Sequence, residues 1–216
     1  LVFDKNSFFE MTKFYGRGII TGFARINGYA VAIFANDSNF YAGSMSAEGA
    51  QKTTRFIKLC DTFNLPIVSL VDEPGFLIGP EAEKAGTILH GTNAVLATTE
   101  STVPWTTIMI RKSFGVAAAA HYGPDGYVLA WPSAESGPLP LEGGVAVAFK
   151  KEIAQSDDPE AKRKELEEKM AKNQSPFPRA EAFSVHEIID PRETRKYVAL
   201  WAERIQSQLK ASLMKR

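Results

Sequence analysis

Residues 71 to 86, VDEPGFLIGPEAEKAG, set two adjacent carboxylates, Asp72 and Glu73, between an apolar run and a Pro-Gly turn. Two carboxyl groups can divide acid and base work when they share a site. Neighbours on an extended chain point to opposite sides, so these two meet at one site only if the turn rotates one of them. Their positions suit turn-forming or capping roles as well. His90, inside TILHGTN, reads first as a packing or hydrogen-bonding group. His121 and His186 have no partner at metal-ligand spacing, and the one cysteine cannot complete a zinc set with them, so no metal site is expected. Neither a Gly-x-Ser-x-Gly nucleophile elbow nor a Gly-x-x-x-x-Gly-Lys phosphate loop occurs.

Side-chain chemistry being scarce, the glycine-rich junctions carry the interest: Gly75, Gly79, Gly115, and Gly143 with Gly144. In MIRKSFGVAAAAHYG a strand should end near Arg111 and a helix begin near Gly115. The N–H groups of Val116 and Ala117 then lie in a first turn without intrahelical acceptors, where they can hold an anion or a developing oxyanion. The same small residues also suit close helix packing, and the local pattern leaves both readings open.

The elements that must position these junctions alternate in type. Two β-rich runs, 18–26 and 29–35, join through Asn27-Gly28 and predict a hairpin. Residues 46–64 predict a helix capped by Ser46, with Phe56, Ile57 and Cys60 inward, before the buried strand IVSLVD. One helix is expected over 79–100, a strand over 103–111, a short strand at YVLAWP and a helix over 141–155. This order argues for an α/β fold with helices covering a sheet. The charged run 157–177, with pairs such as Glu165 and Lys169, predicts a solvated helix ending before Pro176. Asp190, Pro191 and Glu193 have the form of a capping box for a last helix that faces Leu200, Trp201 and Ile205 to the body.

Composition narrows the function. Twenty-five basic and twenty-five acidic residues cancel, which disfavours nucleic acid and anionic membrane as partners. No run has the length of a membrane span, and a single cysteine excludes an internal disulfide, which suits a reducing interior. The chain starts at Leu1 without an initiator methionine, as a fragment of a longer protein would.

Five stretches, in order and spacing, resemble a known family: TGFARINGYAVAIFAND, RFIKLCDTFNLPIVSLVDEPGF, AGTILHGTNAVLATTESTVPWTTIMIRKSFGVA, AWPSAE and IIDPRETR. They are similar to the C-terminal half of the carboxyltransferase subunit of biotin-dependent acyl-CoA carboxylases, of the propionyl-CoA carboxylase β type. The resemblance implies a crotonase-like ββα spiral of the ClpP/crotonase type, with residues 1–216 as one C-terminal carboxyltransferase domain of a two-half subunit. It implies movement of CO2 from carboxybiotin to the α-carbon of an acyl-CoA of propionyl size or larger. Biotin would arrive on a biotin carboxyl carrier protein loaded by a biotin carboxylase component. The family's active site lies between the N-half of one subunit and the C-half of another, which implies at least a dimer, a hexamer by resemblance, and no turnover by this chain alone. A bacterial cytoplasm or mitochondrial matrix is the implied location.

The family's Tyr-Gly-Gly-Ala-Tyr turn aligns with Phe114, Gly115, Val116, Ala117 and Ala118. By resemblance, the N–H groups of Val116 and Ala117 form the oxyanion hole for the ureido oxygen of biotin. Phe114, Gly115, Ala118, Ala119, Pro74, Gly75 and Phe76 would contact biotin or substrate. Ala119 aligns with the residue that lines the acyl pocket, and its small size implies room for a larger acyl group. Such chemistry needs donors for developing negative charge rather than a side-chain base. Val116 replaces the motif's second glycine; a valine there resists φ > 0 and projects a branched side chain. Two alternatives remain: the α subunit of a biotin-dependent acyl-CoA decarboxylase, which runs the same transfer backwards, and a catalytically silent crotonase-like assembly module, which Val116 favours.

Overall fold

The computed structural model describes residues 2–214. Strands β1 (Phe9–Met11), β2 (Ile19–Ile26) and β3 (Tyr29–Asn36) open it as an antiparallel meander, and β2 and β3 close through the expected Asn-Gly turn. Asn27 and Gly28 both take positive φ, 48° and 82°, the requirement of a two-residue turn that follows strand twist. Helix α1 (Ala47–Phe63) follows, with the Ser46 side chain accepting from Gly49 N–H and Phe56, Ile57 and Cys60 buried as expected. It returns the chain to β4 (Ile67–Glu73), which lies parallel to β3.

From there the sheet grows by parallel crossovers. Helices α2 (Pro80–Lys84) and α3 (Thr87–Thr99) lead to β5 (Trp105–Phe114), and the short α4 (Gly115–Ala119) leads to β6 (Tyr127–Ala130). Strand β7 (Glu135–Gly137) pairs with the far end of β5. Then come α5 (Leu141–Ala148), α6 (Lys150–Ala154), α7 (Pro159–Gln174), α8 (Pro176–Glu181), β8 (Glu187–Ile188), α9 (Thr194–Arg204) and α10 (Gln206–Leu213). The sheet runs β1-β2-β3-β4-β5-β6-β8, with β7 beside β5.

Apolar side chains alternate to both faces of the central strands. Ala32, Phe34 and Ile67 join α1, α3 and α4 in one core, while Val31, Ile33, Val68 and Ile108 pack with α9 in the other. Burial on both sides explains why these strands read as continuous hydrophobic runs. Because β4 and β5 run parallel, both deliver their carboxyl ends to one edge, where Glu73 lies opposite Ser113.

Five details differ from the sequence reading. The helix expected over 79–100 breaks at Gly86, whose φ of 73° is left-handed, and gives α2 and α3. The helix over 141–155 likewise divides at Phe149, where φ is −117°. Strand β5 continues past Arg111 to Phe114, because β7 supplies it with a partner there. Asp190 caps a 3-10 turn, Pro191–Glu193, by accepting from Arg192 N–H, while the Glu193 carboxylate turns to Lys196 instead of closing a capping box. Trp201 and Ile205 are buried, but Leu200 remains 41% exposed.

The expected charged helix is α7, and it ends before Pro176. Glu165 pairs with Lys162 and Arg163 with Glu167, so the 165/169 pairing is replaced by neighbours on the same surface. Among the described residues, no helix is long and apolar enough to cross a membrane.

Trp105 fixes the amino end of β5. It is buried, its indole N–H donates to Ser101 Oγ at 2.9 Å, and a Cβ added at Gly123 would lie 2.1 Å from its ring. The ring has no room to withdraw, so Gly123→Ala should destabilise by about 1–3 kcal/mol through overpacking. Thermal unfolding should show a Tm lower by about 2–10 °C; an unchanged Tm would refute the close ring contact.

Candidate functional site

The junction singled out in the sequence lies at the carboxyl edge of the sheet. Phe114 ends β5 in extended geometry (φ −122°, ψ 143°), Gly115 turns to φ +64°, and the chain enters α4 at once. A side chain at Gly115 would be strained by that dihedral whatever space surrounded it. Val116 is helical and is absent from the positive-φ residues, so a valine satisfies the backbone here. Its side chain is 66% exposed, whereas Ala117 is 0% exposed and packs in the core beside Ala120. Both N–H groups lie in the first turn, where helical geometry provides no acceptor.

Five residues cannot maintain a helix alone, since nucleation is unfavourable at that length. The surroundings hold α4 by its carboxyl end. Ala120 C=O accepts from Thr98 Oγ1 at 2.9 Å, and His121 C=O accepts from Thr107 Oγ1 at 2.8 Å. The His121 ring stacks on Phe34, with centroids 4.1 Å apart and planes at 6°, and its Nδ1 lies 2.9 Å from Ser69 Oγ. His121 is therefore fixed by both faces of its chemistry, apolar and polar. Its remaining nitrogen, Nε2, is 3.8 Å from Glu73 Oε2, with both groups fully buried.

Glu73 and Asp72 do point apart. The Glu73 carboxylate accepts from Asn36 Nδ2 at 3.0 Å, from Met45 N–H at 3.2 Å and from Gly75 N–H at 3.0 Å. It acts as the cap of the Pro74-Gly75-Phe76 turn. Asp72 faces the other side, accepting from Arg111 Nε at 2.9 Å and from Lys112 N–H at 3.2 Å. Gly75 takes φ +135° with open space around it, and Phe76 bridges to Met45 and presses its ring on Gly91. Pro74, Gly75 and Phe76 thus follow the strand beside Gly115.

A cavity of about 300 Å³ opens against α4, and Gly115, Ala118 and Ala119 line it. Phe114 is buried beneath it, while Pro74, Gly75 and Phe76 lie outside its wall. The remaining wall includes Ser113, Tyr122, Ser136 and Arg179. Ser113 Oγ and Tyr122 OH are 2.7 Å apart, and burial pushes the phenol above its ordinary pKa. These four residues were not legible from spacing. Arg179 stands on α8, sixty-odd residues from α4 in the chain, and the packing of α8 beside β8 brings it here.

The other histidines have local partners. His90 Nε2 meets Gln51 Nε2 at 2.8 Å, and His186 Nδ1 accepts from Val128 N–H at 3.0 Å. Among the described residues no three His, Cys, Asp or Glu side chains could hold a metal ion together.

Glu73→Ala would leave the Gly75 N–H without its acceptor and take one of two acceptors from Met45 N–H and from the Asn36 amide, which keep Gly75 C=O and Gly43 C=O. At about 1–3 kcal/mol for an unsatisfied donor, and less for the two that keep a second acceptor, the loss should be about 1–3 kcal/mol. Glu73→Gln, which keeps one oxygen, should cost roughly half as much. Denaturant unfolding measures both, and equal stability of Glu73→Ala and the parent would show that the carboxylate does not hold this edge.

The carboxyl transferase domain family matches residues 1–216. The chain is 39% identical over 199 residues to the propionyl-CoA carboxylase, carboxyltransferase subunit, of Haloferax mediterranei, covering 90% of this chain and 38% of that protein. It is 37% identical over 202 residues to methylmalonyl-CoA decarboxylase subunit alpha of Propionigenium modestum, covering 91% of this chain and 39% of that protein. The crystal structure of transcarboxylase 12S, described as a hexamer with methylmalonyl-coenzyme A bound, superposes with a TM-score of 0.90 at 37% identity, over 95% of this chain and 40% of that one. The chain thus spans about two fifths of the length of these relatives.

Proposed function

The chain belongs to the carboxyl transferase domain family and has its crotonase-like α/β fold, and on that premise we propose that it is the C-terminal, biotin-binding domain of an acyl-CoA carboxyltransferase subunit. The observation that carries this reading is the β5–α4 junction. Gly115 alone supplies the positive φ, so Val116 and Ala117 enter the helix with their N–H groups free of intrahelical acceptors.

Small residues beside those donors fit a planar ring better than a packed interface. Gly115, Ala118 and Ala119 border an open cavity, and the one bulky side chain, Val116, is turned outward. The arrangement suits biotin, which when bound would bring the carboxyl group to be transferred. The N–H groups of Val116 and Ala117 would orient its ureido oxygen and stabilise negative charge that develops there, in a setting that needs no reorganisation. Ala117 contributes twice, because its buried methyl locks the helix that aims its own amide. Glu73 and His121 hold the two strand-end turns from behind. A partner half would supply the acyl-CoA site, and a homo-oligomer would complete each site between subunits, as the hexameric relative's description supports. A biotin carboxyl carrier protein and a biotin carboxylase component complete the proposed set of partners.

The decarboxylase relative supports a second direction for the same transfer, away from the acyl-CoA. Isotope exchange between labelled bicarbonate and acyl-CoA, with and without the carboxylase component, separates the two. The silent-module alternative loses its main support, since Val116 fits the helical backbone without distortion.

A bulky side chain at Ala117 would test folding rather than catalysis, because that methyl is in the core. Val116→Pro is the sharper probe, since proline fits a first helical turn yet removes the N–H. In the full subunit it should lower kcat for carboxyl transfer from carboxybiotin by about 10²–10³, the range for loss of one oxyanion donor. Val116→Gly and Val116→Ala should remain within about twofold, because both keep the amide. A Val116→Pro enzyme with parental kcat and circular dichroism would remove this N–H from the site.

A further inference from the structure

Behind the junction, buried polar side chains form a chain with one open link. Asn36 at the end of β3 gives an amide N–H to Glu73 Oε2 at 3.0 Å, while Glu73 Oε1 accepts from the Met45 and Gly75 N–H groups at 3.2 and 3.0 Å. Oε2 also faces His121 Nε2, at 3.8 Å. Across the ring, His121 Nδ1 meets Ser69 Oγ at 2.9 Å. Glu73, His121 and Ser69 are each 0% exposed, yet His121 Nε2 has no hydrogen-bond partner. Native interiors leave few polar atoms in that state, and each needs a physical reason.

The bonds around the ring decide where its proton sits. If Nδ1–H donated to Ser69, the bare Nε2 would face a carboxylate, and the serine proton would have no acceptor among the described residues. With the Ser69 hydroxyl donating to Nδ1, the proton lies on Nε2 and faces Glu73. A second proton on the ring changes the gap, because it sets a full positive charge against that carboxylate. A charge-assisted N–H···O bond is about 2.8 Å long, so closing the link takes about 1 Å of movement. Both sides are anchored. Glu73 is held by three donors, and His121 by its stack on Phe34 and by the Thr107 hydroxyl on its C=O. If the rigid carboxylate moves, Oε1 shifts against the Gly75 amide; if the ring moves, it pulls on the end of α4, two residues before it. One of the two strand-end turns is displaced in either case.

We propose that His121 is a positioning residue of the transfer site, and that its protonation state sets the spacing between the Pro74-Gly75-Phe76 turn and the Gly115 junction. Neutral, with its N–H toward Glu73, it leaves both turns in register; protonated, it closes on Glu73 and shifts one against the other. Transfer is then slow in acid and fast once His121 is neutral. Glu73 on β4 is the one charged side chain within ion-pair distance of the ring among the described residues. Phe34 from β3, Ser69 from β4 and Thr107 from β5 do not ionise, and Tyr122, next in the chain, turns its phenol to Ser113. The effect on turnover rests on the carboxyltransferase reading given above; the link between the two turns does not.

Two measurements on the full subunit test this, with His121→Gln as the variant, since glutamine keeps an N–H to face Glu73 and cannot titrate. In steady-state transfer from carboxybiotin, parental kcat should fall by about tenfold or more on the acid side, the scale of an ångström-sized misplacement near reacting groups. His121→Gln should hold its kcat over the same range; a merely structural histidine would leave the acid limb in place and lower Tm alone. An acid limb that persists unchanged in His121→Gln overturns the proposal. The second measurement stands on the parent even if the variant fails to fold. Hydrogen exchange over residues 73–77 or 114–121, corrected for its intrinsic pH dependence, should quicken by about fivefold as acid protonates His121, the scale of one hydrogen bond lost. Exchange in the parent that follows the intrinsic rate at both turns overturns the link. A subunit that transfers to no acyl-CoA, yet keeps the exchange response in the parent and loses it in His121→Gln, would instead overturn the carboxyltransferase reading and leave the link standing.

Discussion

A single buried carboxylate organises the edge of the sheet where the candidate site lies. Glu73 accepts from the Asn36 side chain at the end of β3, from the Met45 amide ahead of α1 and from the Gly75 amide in its own turn, and it faces His121 behind α4. Three segments that are distant or separately folded in the chain therefore share one acceptor, with His121 facing it at 3.8 Å. A carboxylate removed from water is costly unless its lone pairs are used, and here three donors use them. The same bonds settle the conformation of the Pro74-Gly75-Phe76 turn. They leave Asp72 to serve the opposite face with Arg111.

The second constraint is that α4 is too short to specify itself. Its position is imposed from its carboxyl end, by Thr98, by Thr107 and by a histidine clamped between Phe34 and Ser69. Thr98 is buried on α3, and Thr107, Phe34 and Ser69 are buried on the sheet. The amino end is consequently free of anchoring side chains, and its amides need not compete with local acceptors. A rigid rear and an open front are what a preorganised donor pair requires, because the geometry is set before any ligand arrives.

Local chemistry made much of this legible in the sequence. Asn27-Gly28 allowed only a tight hairpin, Ser46 marked the start of α1, and the opposed directions of Asp72 and Glu73 followed from strand geometry alone. Gly115 could be recognised as a junction, since glycine enters the left-handed region that it takes here, φ +64°, more freely than any residue with a side chain. What escaped depended on contacts between distant segments. Gly86 carried no sign of whether it would be tolerated within a helix or would break one. Leu200 is apolar like Trp201, yet adjacent helical residues lie 100° apart and only Trp201 reaches the core. Arg179 sits in SPFPRAEAF, just beyond a solvated helix, and nothing near it in sequence distinguishes it from other surface cations. Its isolation from carboxylates is a property of the packed cavity.

Val116 illustrates how such a junction can change a side chain without changing its backbone chemistry. On the proposed reading the reacting charge is met by main-chain N–H groups, which survive substitution of any residue except proline. Val116 demonstrates the freedom this gives: its branched side chain turns to the exposed side, its backbone stays helical, and its amide is retained. Side chains around the junction are then released from catalytic duty. Gly115, Ala118 and Ala119 keep that side of the wall small, and Arg179 and Ser136 line the same space. Donors fixed in the backbone and the side chains of the wall can therefore vary separately, because the bonds that hold α4 in place belong to neither set.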